Sequence, residues 1–219
     1  GLDGAKVILV KHTEEEVKRD YAIKNNLVKV FLTEAEQGKK HIREFPSTLE
    51  LIKLFKAKGI KIATGSSSQN APRVLRLKNI NLAGLLDAEV DGTFPRNKGK
   101  PYPEIFLFAA FRLGLRYEEV VVFEDAKDGV AAVKNGKIFC VGIDKDEAGL
   151  LTKADVVVRD LSELTFEQIE EAFRKKGQAS SPIDKEAYEK EALEILLGNR
   201  FIYEKTIKKL FDEKLPKGE

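Results

Sequence analysis

The run Val120-Val-Val-Phe123, followed by Glu124-Asp125-Ala-Lys-Asp128-Gly129-Val130, constrains the fold more than any other part of the chain. Four apolar residues in succession, three of them β-branched, predict a strand buried on both faces, as in a parallel sheet. Two carboxylates stand at its carboxyl end, and Gly129 is expected to allow a tight turn into a helix beginning near Val130. Open α/β sheets bind ligands outside the carboxyl ends of their strands. Adjacent acids in a partly buried cleft repel each other, and a hard, oxygen-seeking cation such as Mg²⁺ would relieve that repulsion. The alternative is that Asp125 or Asp128 caps the following helix.

The rest of the chain supplies the frame for such a sheet. A helix is expected over 14–37, opened by a Thr13-x-x-Glu16 capping box. A second box, Ser47-x-x-Glu50, opens another helix after Pro46, and Ile60–Ala63 follows as a strand. Helix 71–78, a short strand near 88–91, a helix from Pro103 to Leu113, the central strand, and strand 138–141 come next. The series closes with a short helix over 147–153, strand 156–158, and a helix opened by Thr165-x-x-Gln168. Strands alternating with helices between residues 45 and 175 predict an α/β, Rossmann-like parallel sheet with helices on both faces. The linker-like stretch from Gly177 to Pro182 precedes two helical runs, 185–197 and 201–215.

Totals exclude several classes of function. The 38 basic and 36 acidic residues nearly cancel, so no general field draws nucleic acid. No apolar run approaches membrane-spanning length, and no secretory signal is visible, so no membrane partner is expected. The single Cys140 lies in the apolar run Ile138–Gly142 and is expected to be a buried core residue, which suits a reducing cytoplasm.

Two further motifs stand at strand ends. In Ile62-Ala-Thr-Gly-Ser66-Ser67-Ser68, hydroxyls and backbone amides before a helix suit a phosphate, or else form an ordinary hydroxyl-rich turn. In Lys98-Gly-Lys100-Pro101-Tyr-Pro103, a lysine before a proline places a positive charge near a phosphoryl group, or else remains a solvated loop residue. Hydroxyl turn, Lys-Pro and Glu-Asp, in that order over about residues 13–165, resemble the second to fourth motifs of the haloacid dehalogenase-like (HAD) superfamily, in its phosphatase and β-phosphoglucomutase branch.

The resemblance implies a role for each matching residue. Ser66 would hydrogen-bond the transferring phosphoryl group, Ser67 and Asn70 would bind substrate, and Lys100 would neutralise phosphoryl charge. Asp125, assisted by Glu124, would hold Mg²⁺. The implied function is phosphoryl transfer, as a phosphatase or a β-phosphoglucomutase-like enzyme acting on a small phosphorylated metabolite, a sugar phosphate. Residues 1–44 resemble the remnant of a helical cap, 45–176 the core, and 177–219 a linker and helical tail.

The family's first motif, a strand ending in Asp-x-Asp-Gly that carries the nucleophile, has no match. Gly1-Leu2-Asp3-Gly4 has Gly1 in the nucleophile's place, and Val7–Val10 is strand-like but lacks an aspartate. The similarity to the later part of the cap implies that the chain begins inside it. The sheet is then expected to have a gap, filled by Lys6–Val10, by a segment upstream of Gly1, or by a partner chain. The competing expectation is a catalytically incompetent HAD module that binds phosphate, metal or a partner, or one domain of a larger enzyme.

Overall fold

The structure, a computed structural model, describes residues 14–93 and 99–176. Helix α1 spans Glu14–Glu36 and α2 Pro46–Ala57, followed by β1 (Ala63–Gly65), α3 (Ala71–Leu75) and β2 (Ala88–Val90). Then come α4 (Glu104–Arg112), β3 (Val121–Glu124), α5 (Lys127–Asn135), β4 (Phe139–Ile143), β5 (Val156–Val158) and α6 (Phe166–Lys175). The expected α/β architecture is therefore present: among the described residues all strand pairs are parallel, and helices cover both faces.

Side-chain alternation along the strands decides which helices cover which face. Cys140 of β4 and Val120 and Val122 at β3 meet α4 and α5 through Ile105, Phe108, Val130 and Val133. Phe139 and Val141 point the other way, into a cluster with Leu51 and Phe55 of α2 and Ile169 and Phe173 of α6. Burial pushes the Cys140 thiol up to about 12, so it stays protonated and behaves as a small core residue.

Among the described residues the sheet comes in two pieces, β1–β2 and β3–β4–β5. They share the α4–α5 layer, since Ala63 and Val90 belong to the same cluster as Cys140. The residues expected to complete the sheet from within the chain, Lys6–Val10, lie outside the described residues, as do the runs 185–197 and 201–215 expected to be helical. Within α1, residues 22–31 are exposed, and the helix is tied to the body near its end, where Arg73 binds Glu36 and Thr33.

Several local expectations need correcting. Strand β1 begins at Ala63, not Ile60, because the Asp87 carboxylate takes the Ile62 amide at 2.7 Å before the ladder starts. Helix α2 does not use the Ser47–Glu50 box: Pro46 occupies its first turn, and Ser47 instead bonds the Asp160 carboxylate. Helix α3 stops at Leu75, followed by tight turns to Leu82. No helix forms over 147–153, because Asp144 accepts from the Ala148 and Gly149 amides and holds a turn there. The box at Thr165 and Gln168 does form and opens α6. Strand β3 is only partly buried at Val121–Phe123, since β4 is its one described neighbour.

Candidate functional site

The site is assembled from the chain segments that follow β1 and β3 and precede α4. Ser66 continues β1, its amide donating to the Val90 carbonyl at 2.9 Å. Its hydroxyl accepts from the Ser68 amide, and the Ser68 hydroxyl accepts from the Asn70 amide, both at 3.1 Å. These are the bonds of a hydroxyl-rich turn, but each hydroxyl retains its own O–H donor. Ser67 is exposed, while Ser66 and Asn70 are half-buried. Gly92 fixes the far wall of this turn: its amide donates to the Ser68 carbonyl, and a methyl built on it would sit 2.7 Å from the Gln69 nitrogen.

Lys100 precedes α4 across a cis peptide bond to Pro101. The loop is fastened to the end of α5, where the Asn135 amide group donates to the Pro101 carbonyl at 2.9 Å. The Lys100 ammonium donates to Glu124 Oε1 and lies 4.7 Å from the centre of the Phe106 ring. The same ring packs against the end of β1, with a methyl built on Gly65 only 3.2 Å from Phe106 Cδ1. Phe106 thus links the Ser66 strand end to Lys100, and Lys100 is joined to Glu124.

The two adjacent acids do not share one environment. Glu124 is 7% exposed, with Oε2 accepting from the Asp125 and Ala126 amides at 2.9 and 3.0 Å. Asp125 and Asp128 are exposed. Repulsion between the neighbours is relieved by this separation and by the lysine that neutralises the buried member. Neither aspartate caps α5, whose N-cap is Ala126 without a side-chain bond. Gly129 lies inside α5, so its expected role as a turn residue is also corrected. Among the described residues, no group of three or more His, Cys, Asp or Glu side chains gathers as a metal site.

A family model of haloacid dehalogenase-like hydrolases matches residues 3–137. The chain belongs to the haloacid dehalogenase-like hydrolase family. It is 38% identical over 128 residues to the β-phosphoglucomutase of Bacillus subtilis, covering 58% of this chain and 54% of that protein. It is 39% identical over 97 residues to the phosphorylated carbohydrates phosphatase of Thermotoga maritima, covering 44% of each. The chain thus spans about half the length of these two curated relatives. Among solved structures, the β-phosphoglucomutase of Clostridium difficile superposes with a TM-score of 0.63 at 29% identity, over 76% of this chain and 71% of that one.

Membership of the HAD family implies a metal-dependent mechanism, typically with Mg²⁺. It also gives the three motifs a shared context that their sequence separation conceals. Phe106 and Gly92 escape a motif reading, and Gly129, expected as a turn residue, proves to have a different part. Phe106 looks like one more core residue of an apolar helix, and the glycines reveal their purpose only through what lies against them. The faint signal is Gly129, a poor helix former two residues into an otherwise well-formed helical run.

Proposed function

We propose that this chain forms the phosphate-handling part of a Mg²⁺-dependent HAD-type phosphoryl-transfer protein, a phosphatase or β-phosphoglucomutase-like enzyme acting on a sugar phosphate. The observation that carries the reading is the Lys100 ammonium, fixed between Glu124 and the Phe106 ring, which also packs against Gly65, the residue before Ser66. A cation held in place needs no reorganisation when a phosphate arrives. The substrate class follows the relatives, a phosphoglucomutase and a phosphatase of phosphorylated carbohydrates.

In this reading Ser66 donates its hydroxyl proton to a phosphoryl oxygen, Lys100 neutralises charge there, and Ser67 and Asn70 contact the substrate. Asp125, exposed beyond β3, is the carboxylate placed to hold Mg²⁺. That donor set fits an ion that keeps several waters and takes one or two carboxylates together with phosphate oxygens. When bound, Mg²⁺ supplies further neutralisation of phosphoryl charge. Residues 1–44 are read as a remnant of the cap, 45–176 as the core, and the lone buried Cys140 suits a reducing cytoplasm.

The sequence contains no Asp-x-Asp-Gly, and this favours a second reading in which the 219-residue chain binds but does not turn over. Removing a covalent nucleophile costs several orders of magnitude in rate. Calorimetry with orthophosphate and Mg²⁺, alongside turnover of p-nitrophenyl phosphate, separates the two. Binding without turnover is expected, with Lys100→Ala weakening orthophosphate by about 10-fold or more. Turnover well above background that disappears in Asp125→Ala would establish an active enzyme in this chain. Absence of phosphate binding would remove the whole proposal.

A further inference from the structure

Gly129 is the third residue of α5 and does not have a positive φ, so its backbone conformation is open to any residue. Glycine is a poor choice for a helix on propensity alone. What requires it is space: a methyl built on Gly129 would overlap the Glu124 carboxylate. Glu124 is drawn to this place by the amides of Asp125 and Ala126, at the N-terminal end of α5. Its other oxygen receives the Lys100 ammonium, whose side chain is 20% exposed against 7% for Glu124. The buried carboxylate therefore uses both oxygens within the protein.

We propose that Gly129 and Glu124 form a unit that positions Lys100: the missing Cβ admits the carboxylate, and the carboxylate fixes the ammonium beside Phe106. Glu124 is then a positioning residue acting through Lys100, and Asp125 is the carboxylate of the pair that faces solvent. The importance of this unit for phosphate rests on the function proposed above, whereas its geometry does not.

The test is a double-mutant cycle on the full chain with two readouts. Gly129→Ala alone is expected to lower Tm by roughly 5 °C, as overpacking does. In a Glu124→Ala background the same substitution should leave Tm unchanged or raise it, because the clash is gone and alanine is the better helix former. A single variant that fails to fold while the double variant folds supports the unit equally. For orthophosphate, each single variant should bind about 10-fold more weakly, and the double variant no more weakly than either. Equal destabilisation by Gly129→Ala in both backgrounds, or failure of both to fold, overturns the unit. Unchanged phosphate affinity in Gly129→Ala overturns its role in positioning Lys100. If the parent chain binds no phosphate, the stability cycle still decides the unit, and it is the proposed function that fails.

Discussion

The two pieces of sheet differ both in the residues of their strands, Ala-Thr-Gly and Ala-Glu-Val against the more apolar β3–β4–β5, and in how they are stabilised. In β3–β4–β5, the middle strand has a neighbour on each side, and Phe139, Cys140 and Val141 are at most 1% exposed. Its polar support is also buried: Asp155, 3% exposed, accepts from Lys134, Lys176 and the Cys140 amide. In β1–β2, all three residues of β1 are half-buried, Ala88 and Val90 of β2 reach the core, and surface ion pairs fasten the rest, Lys56 to Asp87 and Arg76 to Glu89. Local hydrophobicity alone does not bury a strand, because Val121–Phe123 is as apolar as β4 and is only half-buried. What matters is how many neighbours and layers each strand receives. The acids follow the same rule: Glu124 is buried where Lys100 and two amides meet it, and its neighbour Asp125 remains exposed.

Substitutions in each piece should separate the two. The largest effect is expected for Phe139→Ala, which empties the contact with Phe173, whose ring centre is 5.5 Å away, and should cost about 4 kcal/mol in urea unfolding. A loss below about 1 kcal/mol would mean that the three-stranded piece is not the stable part.

Asp155→Ala comes next, at about 3 kcal/mol, since it leaves Lys134 and the Cys140 amide without their buried acceptor. Burial opposes ionisation of Asp155, yet the hydrogen bond from Lys134, helped by the Cys140 amide and Lys176, holds its carboxyl below the usual range. A carboxyl with a lowered folded-state pKa contributes stability above its unfolded value, about 3.9, and loses it as pH falls through the folded value. The gap between parent and variant should therefore persist at neutral pH and narrow below about pH 4. A gap that widens in acid would reverse the assignment.

The smallest effect is expected in the two-stranded piece. The Lys56–Asp87 pair is about one-third exposed on each side, so Asp87→Ala should cost about 1 kcal/mol and respond to added salt. The Lys56 bond and the Ile62 amide hold the Asp87 carboxyl below its ordinary range, but solvent screens the pair. A cost equal to that of Asp155→Ala would erase the distinction between the pieces.

Much of the core was legible because its signals are local. The central strand is an apolar run ending in acids, α6 is announced by Thr165 and Gln168, and Cys140 is buried where its apolar neighbours place it. Local pattern and structure part company where a distant or off-pattern group wins a local contest. Asp87 delays the start of β1, Asp160 takes the hydroxyl of Ser47, and Asp144 organises a turn in place of a helix. Of the site, residue types and order were readable, but the attachment of Lys100 to Glu124 and Phe106 was not.

The sequence by itself determined the alternation of strands and helices, and with it a parallel sheet whose carboxyl ends carry hydroxyls, a lysine and two acids. Those properties follow from periodicity and residue chemistry, which act between neighbours in the chain. Only the tertiary structure decided which acid is buried, that its carboxylate fills the place of a Cβ at residue 129, and that one phenylalanine ring serves both Gly65 and Lys100. These depend on exclusion of volume and pairing of charge between segments far apart in sequence, and no local pattern encodes either.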